Sequence, residues 1–118
     1  MFEYKMIILT HRGLELSNKN FYPESSYEAF SDQLSRGFGI EFDPNFAKDG
    51  VIVWHDATLK RISYGNDTRS LSKIPLNELK NIRYGKEKIG RLANIDEVLE
   101  IIGRGSSNIN AMHLKGIN

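Results

Sequence analysis

The chain has 118 residues, with 16 Lys and Arg against 15 Asp and Glu, no cysteine, and 40% hydrophobic residues. This length allows one domain, because domains typically hold about 100–150 residues. The formal charge of +1 gives no basis for a nucleic-acid partner, since binding to phosphate backbones needs a surplus of positive charge. Without cysteine, a disulfide framework, a thiol nucleophile and a thiolate metal site are all excluded.

The first apolar run is short. Residues 6–9 are followed directly by polar residues, whereas a signal peptide needs about 7–15 consecutive apolar residues and a membrane span about 20. We therefore expect a cytoplasmic protein without a membrane span.

The first predicted elements are a strand, a loop and a helix. Residues 6–9 form a continuous apolar run, as in a strand buried on both faces. Ser25 and Glu28 have the spacing of a capping box, and Gly37 suits the left-handed position that ends a helix. Residues 39–43 predict the next strand, whose period-two alternation puts Ile40 and Phe42 on one face and Glu41 and Asp43 on the other.

The remaining elements complete an alternating pattern. A turn at residues 48–50 precedes a strand at 51–55, and residues 57–90 are polar apart from one short helix that begins at Pro75. Asn94 is predicted to cap a further helix that Gly103 closes, and residues 110–114 suit a third core strand. The apolar side of the helix capped by Asn94 would be formed by residues three or four positions apart along the chain: Ile95, Val98, Leu99 and Ile102. Alternating strands and helices predict parallel strands with helices outside, which is the α/β class.

Chemistry-bearing side chains fall at the carboxyl ends of the predicted strands, where α/β folds bind ligands. Histidines there suit acid and base catalysis, a Glu-x-Asp pair suits Mg²⁺ or Ca²⁺, and an arginine can grip a phosphate. Taken singly, each also fits a structural role: a solvated turn, the polar face of an edge strand, or a core histidine. The residues concerned are His11, Arg12, Glu41, Asp43, His55 and Asp56.

Five motifs, in order along the chain, resemble the glycerophosphodiester phosphodiesterase family. They are HRG at 11–13, PESSYEAF at 23–30, GIEFD at 39–43, KDG at 48–50 together with VWHDATLKR at 53–61, and IDEVL at 95–99. The resemblance covers nearly the whole chain, with residues 57–90 resembling that family's insertion. It implies a (β/α)₈ TIM barrel and a metal-dependent hydrolase that converts glycerophosphodiesters to glycerol 3-phosphate and an alcohol.

The resemblance also implies a role for each matching residue. Its general acid and base would be His11 and His55, and its metal ligands Glu41 and Asp43. The phosphate would be bound by Arg12 and Lys115. Apart from the resemblance, we expect Glu24 to orient a neighbour such as Arg12 rather than to take part in the chemistry. His113 falls where the family carries an acidic metal ligand. Mg²⁺ or Ca²⁺ is the expected ion, although an imidazole ligand removes one negative charge and favours softer ions such as Mn²⁺ or Zn²⁺.

The length also departs from the family, because a (β/α)₈ barrel takes about 250 residues. We expect a barrel truncated after about the third core strand. Its exposed edges favour a homo-oligomer, pairing with a complementary fragment, or poor stability of the chain alone. An alternative hypothesis is a catalytically silent module that binds a phosphorylated polyol or a partner protein. A further alternative keeps the fold but makes the enzyme a lyase that releases a cyclic phosphate.

Overall fold

The structure is a computed structural model of the chain and describes residues 9–13, 22–105 and 109–114. Its regular elements are short, and 3-10 turns at Leu71–Lys73 and Lys86–Lys88 lie among them. In chain order the strands and helices are β1 (Leu9–His11), α1 (Tyr27–Ser35), β2 (Gly39–Phe42), β3 (Pro44–Phe46), β4 (Val51–Val53), α2 (Leu76–Lys80), β5 (Arg83–Tyr84), β6 (Gly90–Arg91), β7 (Ala93–Asn94), α3 (Ile95–Arg104) and β8 (Ala111–Met112).

The central sheet is parallel, with strand order β1-β2-β8. In its register Leu9 is paired with Gly39, and Glu41 is paired with Ala111. The prediction of parallel core strands is thereby confirmed for this sheet. Residues 6–8, the start of the predicted first strand, lie outside the described residues, and the described strand continues to His11.

A second sheet is antiparallel, in the order β3-β4-β7, and β5 pairs antiparallel with β6. The strand predicted at residues 51–55 therefore does not join the parallel set, and it ends at Val53. The physical reason is the short connection. A four-residue turn between β3 and β4 can join only antiparallel neighbours, whereas a parallel pair needs a crossover of a dozen or more residues.

The start of α1 differs from the predicted capping box. Its N-cap is Ser26, whose Oγ accepts a hydrogen bond of 3.0 Å from the Ala29 amide. Ser25 is fully buried with a left-handed backbone (φ 59°), so it cannot act as the extended cap residue. Glu28 instead accepts from the backbone N–H of Arg91. Gly37, at φ 84°, lies just beyond the helix end, as predicted.

The other helices follow their local signals closely. Pro75 is the N-cap of α2 and not its first helical residue. Asn94 caps α3 in a reciprocal capping box with Glu97, as expected from Asn94. The prediction that Gly103 ends α3 is wrong, since the helix runs to Arg104 and its cap is Gly105. Gly103 is exposed, and glycine is tolerated within a helix at modest cost.

Two hydrophobic clusters fill the interior. One lies between α1, α3 and the sheets, with Phe30, Ile40, Val53 and Val98 all fully buried. Leu99, predicted to belong to the apolar face of α3, is 52% exposed, and Ile101 is buried instead. The second cluster packs the segment 57–90 against β4 and the residues around it, and consists of Ala47, Ile52, Trp54, Leu59, Ile62, Leu71, Ile74, Leu79, Tyr84 and Leu92. Among the described helices, none has the length and apolarity to cross a membrane.

Candidate active site

The end of β1 presents His11 and Arg12 at the edge of the parallel sheet. The Arg12 amide donates to the carbonyl of Glu41 over 2.9 Å, which ties this turn to β2. Gly13 allows the turn to approach α1, because a Cβ there would lie 3.1 Å from the Phe30 ring and its φ is 70°. Nε2 of His11 lies 3.5 Å from Oε2 of Glu41. The first histidine of the predicted site and the first of its predicted metal ligands are therefore neighbours.

Asp43, directly after β2, is the most deeply buried acidic residue of the site, with 2% of its side chain exposed. The backbone N–H of His113 donates to the Phe42 carbonyl over 2.9 Å. This bond brings the His113 imidazole alongside, with Nδ1 3.0 Å from Oδ1 of Asp43. Ligand atoms of Glu41, Asp43 and His113 all lie within 4.8 Å of one another. Parallel pairing of β2 with β8 thus brings together the three predicted metal ligands.

The surroundings of these carboxylates fit a cation. Oδ2 of Asp43 and Oε2 of Glu41 are buried and have no hydrogen-bond partner within the described part of the chain. The guanidinium Nε of Arg12 is 3.8 Å from Oδ2 of Asp43, beyond hydrogen-bonding distance. Burying carboxylate oxygens without partners is costly. Two carboxylates and one imidazole form a donor set that suits a divalent ion.

His55 lies after β4 and pairs with its neighbour in the chain. Its Nδ1 is 2.6 Å from Oδ1 of Asp56, and both side chains are about 30% exposed. The side-chain amide of Asn45 donates to the backbone carbonyls of Trp54 and Asp56, at 3.4 and 3.0 Å. Because a carboxylate only accepts hydrogen bonds, Nδ1 of His55 carries the proton in this pair.

Glu24 connects the two halves of the site. Its Oε2 lies 3.1 Å from Nη1 of Arg12, and its Oε1 accepts from Nη1 of Arg61. Arg61 in turn donates to both carboxylate oxygens of Asp56, at 2.8 Å from Nε and 3.3 Å from Nη2. A continuous series of alternating charges therefore runs from the His55–Asp56 pair to Arg12.

The sequence analysis missed Arg61, although it ends the motif at 53–61. The guanidinium carbon lies 4.8 Å from the centroid of the buried Trp54 ring. Burial, together with the nearby charge of Arg12, lowers the pKa of Arg61 below its ordinary value. The stacking on Trp54 and the lowered pKa of Arg61 both depend on tertiary packing, so the spacing of residues along the chain does not predict them.

Tyr84 is a buried residue that holds the backbone of Glu24 in place. Its hydroxyl donates to the Glu24 carbonyl over 2.6 Å, and its ring packs edge-on against Trp54. Burial, and then the charge of Glu28, raise the pKa of Tyr84 well above its ordinary value. The phenol therefore remains a hydrogen-bond donor at neutral pH. Lys115, the remaining predicted phosphate ligand, lies outside the described residues.

Comparison with solved structures shows which fold this chain shares. A protein from Galdieria sulphuraria superposes with a TM-score of 0.76 at 22% identity, over 95% of this chain and 44% of that one. A glycerophosphodiester phosphodiesterase from Thermotoga maritima gives 0.70 at 31% identity, over 98% and 46%. An Oleispira antarctica phosphodiesterase, determined in complex with the product sn-glycerol-3-phosphate, gives 0.73 at 23% identity, over 93% and 44%. The chain spans less than half the length of each structure, so its α/β fold is a truncated TIM barrel, as predicted.

Family comparison agrees with the structural one. A search of curated proteins gives no significant match. Residues 11–110, from the first histidine of the site to the start of the third core strand, match the family described as the glycerophosphoryl diester phosphodiesterase family. The chain therefore belongs to the glycerophosphoryl diester phosphodiesterase family.

Proposed function

We propose that this chain is a phosphoric diester hydrolase that cleaves glycerophosphodiesters to glycerol 3-phosphate and an alcohol. The observation that carries the proposal is the meeting of Glu41, Asp43 and His113 beside His11 at the carboxyl edge of the parallel sheet. Membership of the family supports it, and so does the product-bound Oleispira structure. Such a site offers acid, base and cation-binding groups around one phosphate.

Arg12 is proposed to bind the phosphate of the substrate. Its side chain is largely buried, and its Nε has no hydrogen-bond partner within the described residues. Nη1 is held by Glu24, so the guanidinium is fixed while Nε keeps an available donor. A planar guanidinium with a preset direction suits the recognition of phosphoryl oxygens. Lys115 is proposed to supply a second positive charge that binds the same phosphate.

Glu41 and Asp43, with His113, would hold a divalent cation. A bound cation would polarise a phosphoryl oxygen and neutralise negative charge on the phosphate. Mg²⁺ and Ca²⁺ match the two carboxylates, whereas the imidazole ligand favours Mn²⁺ or Zn²⁺.

The two histidines are proposed to move the protons. One takes a proton from the nucleophile, which is water or the neighbouring glycerol hydroxyl, and the other gives a proton to the leaving alkoxide. With Nδ1 of His55 directed to Asp56, the neutral ring accepts a proton at Nε2. His11, beside Glu41, supplies the second titratable group.

The first test is hydrolysis of glycerophosphocholine with Mg²⁺, Ca²⁺, Mn²⁺ or Zn²⁺, comparing the wild-type chain with His11→Ala. We expect metal-dependent release of glycerol 3-phosphate that the substitution abolishes. Phosphorus NMR of the products separates hydrolysis from the lyase reaction, because a lyase releases a cyclic phosphate. Absence of turnover with every metal, in protein shown by circular dichroism to be folded, would contradict the proposal.

The second candidate function is a silent module that binds a phosphorylated polyol or a partner protein. One observation favours it: His113 stands where the resemblance to the family expects an acidic metal ligand. Binding of glycerol 3-phosphate without turnover would support this candidate over the enzyme.

Self-association is a further proposal. Among the described strands, β1 and β8 form the edges of the parallel sheet. Met112 in β8 and Leu114 just beyond it are more than half exposed. Unpaired edges and apolar surface favour pairing with another chain. Light scattering after size-exclusion chromatography measures this, and a monomer at micromolar concentration would contradict it. We further propose that residues 57–90, which contribute six of the ten buried residues of the second hydrophobic cluster, correspond to the family's insertion. The proposed location of the protein is the cytoplasm.

A further inference from the structure

We propose that Arg61 is a positioning residue that holds the His55–Asp56 pair and the Arg12–Glu24 pair in one fixed arrangement. The proposal deepens the proposed function. Only the expected effect of Arg61 on turnover rests on that function. Arg61 itself would contact neither substrate nor metal. Its effect would pass through the two carboxylates to which it donates.

The first observation is that Arg61 joins two carboxylates from different parts of the chain. Toward Asp56 it uses Nε and Nη2, at 2.8 and 3.3 Å, and toward Glu24 it uses Nη1. Asp56 and Glu24 each use a carboxylate oxygen for a second partner, His55 in one case and Arg12 in the other. Removing Arg61 would therefore break the connection between the two pairs and take one partner from each carboxylate.

The second observation is the rigid support beneath the guanidinium. Arg61 lies over the face of Trp54, which is 1% exposed and packs against the buried Tyr84 ring at 5.6 Å between centroids. Tyr84 also holds the backbone of Glu24 through its hydroxyl. The same aromatic pair thus positions the arginine and one of its acceptors. A guanidinium stacked in this way has few alternative rotamers.

The chemical consequence concerns the tautomer of His55. Arg61 contacts both oxygens of Asp56, and this fixes the plane of the carboxylate whose Oδ1 faces Nδ1 of His55. The proton of the neutral ring is then kept on Nδ1, and Nε2 is the basic atom. Without Arg61 the Asp56 carboxylate is free to rotate, so both neutral tautomers become populated. The orientation of a catalytic imidazole is commonly set by a hydrogen bond to its other nitrogen.

The test uses Arg61→Met and Arg61→Lys, with Arg69→Met as the matched control. Arg69 lies in the same segment, has a similarly exposed side chain (51% against 47% for Arg61) and also bridges two carboxylates, Asp67 and Glu78 at 2.8 and 2.5 Å, but neither of these is a predicted site residue. Arg61→Lys keeps the positive charge and removes the planar fork, which supplies a second variant if Arg61→Met does not fold. The chain has three histidines, so imidazole ¹⁵N spectra can be assigned with single His→Gln variants.

We expect the Nδ1–H tautomer of His55 to dominate at pH about 8 in the wild-type chain and in Arg69→Met, and to lose that dominance in both Arg61 variants. We expect kcat to fall about 10–100-fold, as for other residues that orient a catalytic group through a hydrogen bond, with a smaller change in KM. An unchanged His55 tautomer in a folded Arg61 variant would overturn the inference, whatever happens to activity. If the wild-type chain shows no turnover, the proposed function fails, while the ¹⁵N spectra still decide the role of Arg61.

Discussion

Nδ1 of His113 lies 3.0 Å from Oδ1 of Asp43, although the two residues are 70 positions apart. The contact follows from the parallel pairing of β2 with β8, in which Phe42 is aligned with Met112. Asp43 and His113 both come one residue later, so they meet at the same edge of the sheet. An imidazole therefore lies beside a carboxylate whose other oxygen has no hydrogen-bond partner among the described residues.

The first prediction concerns the buried carboxylate. Asp43→Asn should lower the affinity for Mn²⁺, because it removes a charged ligand. The decrease should exceed the roughly 10–100-fold loss that is typical when a metal ligand loses an outer hydrogen-bond partner. Isothermal titration calorimetry measures the affinity. Asp96→Asn, at an exposed position in the first turn of α3, is the control and should leave binding unchanged. Equal affinities in the two variants would show that the metal does not bind at Asp43.

The second prediction concerns the identity of the metal. His113→Asp replaces an imidazole with a carboxylate, and hard oxygen ligands favour Mg²⁺ and Ca²⁺. We expect the affinity for Ca²⁺ to rise and the affinity for Zn²⁺ to fall, as measured by competition with a chelating dye. His113→Asn, which supplies oxygen without charge, separates the effect of charge from that of ligand type. A Ca²⁺ to Zn²⁺ affinity ratio that stays constant would exclude His113 as a ligand.

The third prediction separates two glycines. A Cβ at Gly103, within α3, meets no atom within 4 Å, so Gly103→Ala should stabilise the protein by about 0.5–1 kcal/mol through lower unfolded-state entropy. A Cβ at Gly90 would collide with the Pro23 ring and lie 3.0 Å from Cβ of Ser26. Gly90→Ala should destabilise by about 1–3 kcal/mol, as overpacking does. Urea denaturation measures both, and destabilisation by Gly103→Ala would mean that α3 ends before this residue.

The fourth prediction concerns pH. Burial of Glu97 opposes its ionisation, but hydrogen bonds from Arg91, from the Asn94 amide and from Lys80 outweigh it and lower the pKa of the carboxyl below its ordinary value. A lowered folded-state pKa stabilises the protein above the unfolded-state pKa, and this contribution is lost as pH falls through the folded-state value. Glu97→Gln keeps the cap and removes the charge, so it should cost about 1 kcal/mol at pH 7 and progressively less in acid.

Chemical denaturation at pH 7 and at several lower values measures this dependence. Glu100→Gln is the matched control, because Glu100 lies on the same helix and pairs with Arg104 on the exposed surface. Surface pairs of this kind contribute little, so the control should change stability only slightly at any pH. A cost for Glu97→Gln that does not vary with pH would contradict the argument from charge.

The sequence by itself determined the features that depend on neighbouring residues. Asn94 and Glu97 form their capping box within one turn of helix, and Gly37 ends α1 through its own backbone freedom. The alternation in residues 39–43 placed Ile40 and Phe42 in the core. Such signals are readable because they involve residues within about four positions of each other. The motif pattern likewise indicated the family before any contact was known.

Only the tertiary structure decided which charges meet. Ser26 rather than Ser25 caps α1 because the turn from Pro23 puts Ser25 in a left-handed conformation. The antiparallel direction of β4 depends on its pairing with β3 and β7. Arg61 reaches Glu24 across 37 positions only because Trp54 is buried beneath it. Such contacts are set by strand register and by packing between distant segments, and no local pattern of residues encodes them.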